Sequence, residues 1–130
     1  MENLKEYILQ HKKNEEKSTN FLTYLFKLMN KKGFSKDNDL YKKANISRQN
    51  RSSIISGKSI PSLNTTLKIV FALELNNHEC KYLLKKVGFT LSSSSTFSLI
   101  IRYCIENKIY DLLTVNKYLE AYGLEDNFIN

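Results

Sequence analysis

Arg48, Gln49 and Asn50 follow one another in the stretch "YKKANISRQNRSSIISGKSIPS", Tyr41 to Ser62, and Arg51 comes directly after them. Each carries paired polar atoms in one plane: an arginine fork matches the major-groove edge of guanine, and a glutamine or asparagine amide that of adenine. Ser47, Ser52 and Ser53 add short hydroxyls, and Lys42, Lys43 and Lys58 flank them with ammonium groups. A segment so polar, set among strongly amphipathic helices, reads as a surface that recognises something. Catalysis has less to work with. His11 and His78 have no ligand or nucleophile spacing around them, and no H-E-x-x-H, G-x-S-x-G, Walker-type glycine loop or paired-cysteine cluster occurs. Glu15-Glu16 and Asp37/Asp39 read as solvated charges. No enzyme activity, catalytic residue, metal or cofactor is expected.

The charge is unevenly placed. Residues 1–60 carry 13 Lys/Arg against 6 Asp/Glu, a net of +7, whereas residues 61–130 carry 7 of each, so the whole excess lies in the half that contains the polar stretch. Such asymmetry favours a polyanion or an acidic partner for that half. No apolar run approaches the roughly 18 residues that span a bilayer, and the N-terminus "MENLKEYILQHKKNEEK" lacks an apolar signal core, so no membrane is expected and the cytoplasm is the expected location. Cys80 and Cys104 form neither a C-x-x-C pair nor a disulfide framework and read as buried small apolar residues.

These side chains must be positioned by helices. Four Gly and one Pro leave little room for the many tight turns of a β fold, so an all-α helical bundle is expected, one domain over the 130 residues. Leu4, Tyr7, Ile8 and His11 predict a leading helix over 3–16, within residues 1–17. Ser18 or Thr19 is expected to cap the next, whose apolar face (Phe21, Leu22, Leu25, Phe26, Leu28, Met29) stops at Gly33 and opens a core of residues 18–90.

A short helix over 36–44 turns Leu40, Tyr41 and Ala44 inward. Asn45 takes a positive φ in a tight turn, and Ser47 caps a second short helix, Arg48 to Ser56, ended by Gly57. Pro61 and Ser62 open a further helix with Leu63, Leu67, Val70, Phe71 and Leu73 inward. Asn76 with Glu79 predicts a capped start to a helix carrying Tyr82, Leu83, Leu84 and Val87. The serine run 92–95 is the linker to an extension, residues 91–130, with helices over 96–107 and 112–122; the tail beyond Gly123 is expected to fray.

Helix, tight turn, helix, then a loop with Gly57 and Pro61 and another helix is helix-turn-helix spacing. Residues 40–75, "LYKKANISRQNRSSIISGKSIPSLNTTLKIVFALEL", resemble the Cro/lambda-repressor type of helix-turn-helix, the XRE family, through "ANIS", "SGK", "PS" and "LKIVFALEL". The downstream "LLKKVGFTLSSSSTFSLIIRYCIENKIYD" resembles an extension carried by some Gram-positive members.

The resemblance implies that the helix from Ser47 enters the major groove of double-stranded DNA. Arg48, Gln49 and Ser53, with Asn50 and Ser52 close by, then stand where members contact base edges. Lys42, Lys43, Ser47, Gly57 and Lys58 would hold phosphates. It further implies a transcriptional repressor, bacterial or phage, acting as a homodimer. The C-terminal helices would supply the dimer surface, with Phe97, Ile101, Ile105, Tyr110, Leu113 and Tyr118 as candidates. At Arg51 the family has an apolar residue and at Tyr41 a small one. Arg51 is therefore expected to snorkel out, to pair with Asp37 or Asp39, or to lie over the Tyr41 ring, with Tyr41 filling the space. Arg51 and an exposed Ile55 also fit a protein-partner face, so the alternative is a protein-binding module on the same scaffold: an antitoxin, an anti-defence inhibitor or an adaptor. RNA binding ranks last, since the sequence shows no regularly placed aromatics.

Overall fold

The computed structural model describes residues 2–130; the side chains of residues 2, 10–19 and 37 lie outside the described residues, and with them the expected role of His11, the caps at Ser18 or Thr19 and the Asp37 partner of Arg51. Among the described residues every regular element is a helix, and no strand occurs. The order is α1 (Glu2–Lys31), α2 (Asp37–Lys43), α3 (Arg48–Ile55), α4 (Leu63–Leu73), α5 (Asn77–Lys86), α6 (Thr96–Glu106) and α7 (Leu112–Ala121), closed by a short 3-10 turn, Glu125–Asn127.

The first of these corrects the expected layout. One helix stands where two were expected, and the boundary between residues 17 and 18 falls inside α1. Residues 2–31 contain neither Gly nor Pro, so nothing in the backbone stops the helix; serine and threonine permit an N-cap but do not impose one.

Elsewhere, α2 excepted, whose N-cap residue Lys36 makes no side-chain cap bond, the helix starts follow the local chemistry. Ser47, Ser62 and Ser95 each accept a hydrogen bond from the backbone N–H three residues on. Asn76 and Glu79 form the reciprocal capping box, with Asn76 Oδ1 accepting from Glu79 N at 2.8 Å and Glu79 Oε1 accepting from Asn76 N at 3.0 Å. Asp111 caps α7, a start the sequence reading left without a cap.

Helix α4 is the axis of the bundle. Apart from Lys68, every residue from Thr65 to Leu73 is buried, as a helix wrapped on all sides must be. Helix α2 packs on it, and α5 links it to α1 on one side and to α6 on the other, with α7 beyond. Phe21, Leu25, Leu28 and Met29 of α1, Leu40, Tyr41 and Ala44 of α2 and Ile54 of α3 close the core around it. Phe26 and Tyr82, expected on apolar faces, are instead exposed.

The C-terminal tail is a second correction. Ile129 is buried, and the Asn116 side chain both accepts from Ile129 N at 2.8 Å and donates to Ile129 O at 2.9 Å. Asn64 Nδ2 also donates to Phe128 O at 2.9 Å. One side-chain amide satisfying both backbone polar groups of a residue does the work of a strand partner, and the tail is held rather than frayed.

Candidate functional site

The turn between α2 and α3 is built from backbone hydrogen bonds. Ile46 N donates to Tyr41 O at 2.9 Å and Asn45 N to Lys42 O at 3.1 Å, with Asn45 at φ 56, so α2 ends in a Schellman motif. Asparagine replaces the usual glycine there because its short polar side chain tolerates the left-handed region. Ile46 then packs into the core, and the chain leaves it at Ser47, whose Oγ accepts from Asn50 N at 3.1 Å to start α3. Lys68 Nζ of α4 donates to the Asn45 carbonyl at 3.2 Å and braces the turn from below. No local pattern in the sequence pointed to Lys68, since that contact spans α4 and the turn.

This geometry sorts the residues of α3. Arg48, Gln49 and Ser52 are exposed and share one side of the helix, as positions i, i+1 and i+4 do, and Ile55, 38% exposed, continues the same side. Ile54 points into the core. Asn50 and Ser53 are half-buried; Asn50 Nδ2 donates to Thr65 Oγ1 at 3.4 Å, so the amide is turned toward the start of α4 rather than outward. Arg51 is half-buried with its guanidinium carbon 5.8 Å from the centre of the Tyr41 ring, and Tyr41 is buried beneath it. The expected stacking of cation on ring is therefore in place, and it ties α3 to α2.

The lysines separate in the same way. Lys42 and Lys58 are exposed, and Gly57, half-buried at φ 76, ends α3 before Lys58. Lys43 turns elsewhere: its Nζ is 3.3 Å from Glu74 Oε2 and 5.7 Å from the Phe34 ring centre. It lines a shallow groove of about 470 Å³ with Lys32, Phe34, Glu74, Lys108 and Tyr110. Helices α1, α2, α4 and α6 all end around this groove. Lys32 Nζ donates to the Glu74 carbonyl at 3.5 Å, at the carbonyl end of α4, which favours a cation.

Sequence reasoning took Glu79 for a helix cap and missed that it is the most buried charge among the described residues. Glu79, 5% exposed, receives Lys31 at 2.9 Å and Lys32 at 3.3 Å in addition to its capping bond. Burial pushes its carboxyl up, but the Asn76 backbone N–H, Lys31 and Lys32 together outweigh that, and it lies below its ordinary range. The capping-box spacing was visible in the sequence, whereas the lysines that reach it from α1 were not.

Burial pushes the Cys80 thiol up to about 12, and burial with Asp111 nearby pushes Cys104 up to about 11, so both stay protonated and inert at neutral pH. Among the described residues no three His, Cys, Asp or Glu side chains gather as metal ligands, and no helix is long and apolar enough to cross a membrane. Of the residues expected to pair two copies, Ile101 and Ile105 are core, Phe97, Tyr110 and Tyr118 are partly covered, and Leu113 is 70% exposed. Leu99, Tyr103 and Tyr122 are exposed beside them in sequence.

Comparison with protein-family models, with curated proteins and with solved structures finds no match.

Proposed function

We propose that this protein is a sequence-specific DNA-binding transcriptional regulator of the Cro/lambda-repressor type, a repressor that lays α3 in the major groove. The observation that carries the reading is the exposed side of α3: Arg48, Gln49 and Ser52 stand outward at the start of a helix held rigidly by the Asn45 turn and the Ser47 cap. Arg48 would pair with guanine and Gln49 with adenine, with Ser52 as a third polar contact. Lys42 and Lys58, exposed before and after α3, would neutralise phosphates, as would the backbone at Ser47 and Gly57. Asn50 supports α3 through Thr65 instead of reading a base, and Ser53 lies at the margin. The excess of positive charge in residues 1–60 fits a polyanion there. Two copies would bind a pseudo-palindromic site, joined through what the C-terminal helices leave exposed, Leu99, Tyr103 and Leu113. The site of action would be the cytoplasm, and no cofactor is needed for this mode of binding.

A second reading has one observation in its favour. Ile55 lies on the same exposed side as Arg48 and Gln49, and an apolar residue there suits a protein partner, as in an antitoxin, an anti-defence inhibitor or an adaptor. Selection of bound duplexes from a random library at about 150 mM salt separates the two. The repressor reading expects an enriched two-fold-symmetric motif, on which Gln49→Ala costs about 1–3 kcal/mol and relaxes base preference while Lys58→Ala weakens all duplexes alike. If no motif is enriched, α3 is not a base reader, and Arg51 with Ile55 becomes the face to probe for a protein.

A further inference from the structure

The packing of α1 against α5 builds a surface that neither helix shows alone. Tyr82 of α5 stands with its ring centre 5.8 Å from that of Tyr24 on α1 and 5.4 Å from that of His78 one turn earlier on α5. Lys86 Nζ lies 5.7 Å from the same ring, one turn later. With these neighbours in place, Lys86 over the ring among them, Tyr82 remains 47% exposed, so part of an aromatic surface braced by two helices stays accessible. The ordering is already present before any ligand arrives, which lowers the entropy lost on binding.

The surroundings are basic. Lys81 and Lys85 are exposed on one flank of Tyr82 on α5, one residue before it and three after, about 6 Å apart along the axis by helical rise. Lys27 and Lys31 are exposed on α1, at the i+3 and i+7 positions from Tyr24. Across residues 20–31 and 77–86 the sequence holds a single carboxylate, Glu79, and it is buried under Lys31 and Lys32. Glu106 of α6 reaches only the start of α5, where its Oε1 accepts from Asn77 Nδ2 at 3.1 Å. A surface of this composition repels cationic partners and attracts polyanions. A polyanion whose units also carry flat π faces uses both of its features, the ammonium groups on phosphates and the ring on a base.

We propose that the outward face of α5, with the adjoining Tyr24–Lys31 part of α1, binds single-stranded nucleic acid, with Tyr82 as the stacking platform and Lys81 and Lys85 as its phosphate contacts. The strand would run along α5 with one base on Tyr82 and its flanking phosphates at the two lysines. Regularly placed aromatics are absent from the sequence because the platform is assembled from two helices distant along the chain. This surface shares no residue with the exposed side of α3, and the proposal does not rest on the reading of α3 as a duplex reader.

The test is fluorescence anisotropy of the full chain with labelled oligothymidylate and oligouridylate of about 15 nucleotides, an abasic strand of the same length, and a duplex. Sedimentation with phosphatidylserine vesicles runs alongside. The wild-type protein is expected to bind the base-carrying strands about tenfold more tightly than the abasic one. Tyr82→Ala, measured at a temperature where both proteins are folded, should erase that difference while leaving abasic binding as in wild type, and Tyr82→Phe should restore it. Lys81→Ala with Lys85→Ala should weaken every single strand and flatten the salt dependence. Gln49→Ala should leave single-strand binding untouched, so a failure of the α3 reading does not enter. Equal affinity for abasic and base-carrying strands would overturn the proposal, as would a base preference that survives Tyr82→Ala or disappears with Gln49→Ala. Binding to vesicles without binding to strands would assign the face to a membrane surface and also overturn it.

Discussion

Replacing Glu79 by Gln removes a charge without removing its shape. The glutamine carbonyl can still accept from Asn76 N, so the geometric half of the capping box survives, and Asn76 Oδ1 keeps its bond from Glu79 N. What goes is the ionised acceptor for Lys31 at 2.9 Å and Lys32 at 3.3 Å, in a carboxyl only 5% exposed. A hydrogen bond to a buried charge contributes about 1.5–3 kcal/mol, and the Lys31 ammonium, left in water, loses little, so the cost should be about 1–2 kcal/mol. For a chain of this length that is a fall in Tm of about 3–8 °C.

The dependence on pH gives the sharper check. The folded carboxyl lies below its ordinary value near 4.5, so its contribution is fully present above that value and is lost as pH falls through the folded pKa. Protonated Glu79 is then nearly the same as Gln. Thermal unfolding of wild type and Glu79→Gln, followed by circular dichroism from pH 7 down to about pH 3, should show two curves that converge as the pH drops. A gap of equal size at both ends of the range would refute the electrostatic account, because the substitution would then be acting through packing alone. No gap at neutral pH would refute it from the other side.

Three further outcomes are expected. Asn45→Val should cost about 1–2 kcal/mol in urea unfolding because it forces a branched side chain into the left-handed region, whereas Asn45→Gly should be nearly neutral. In a double-mutant cycle, Arg51→Met and Tyr41→Leu should couple by about 0.5–2 kcal/mol; zero coupling would mean the cation and ring are neighbours without an attraction. Asn116→Ala should cost about 1–3 kcal/mol and make the Ile129 amide exchange rapidly with solvent, while persistent protection would show that packing of Ile129 alone holds the tail.

Much of the scaffold was legible because the interactions that define it are local. A cap needs only a serine or asparagine and the N–H three residues on, so Ser47, Ser62, Ser95 and the Asn76–Glu79 box could be read directly, and the left-handed turn at Asn45 followed from the residue's tolerance of positive φ. The inward faces of α2 and α4 followed from helical periodicity. Of the residues proposed for recognition, the sequence placed all of them on or beside one short helix, but it could not say which would face water. Helical spacing alone leaves the rotation of a short polar helix undetermined, since few apolar residues fix it.

By itself, then, the sequence determined the all-α class, most helix starts, the sharp α2–α3 turn and the concentration of positive charge in residues 1–60. Only the tertiary structure decided that Arg48, Gln49 and Ser52 face outward while Asn50 turns to Thr65, that Lys43 leaves for Glu74, and that Arg51 lies over Tyr41. It also decided that the tail is tied to Asn116 and that Tyr24 meets Tyr82. The physical reason is range: capping and turn energies act within a few residues, whereas each of these contacts joins segments that only the packing of the helices around α4 brings within reach.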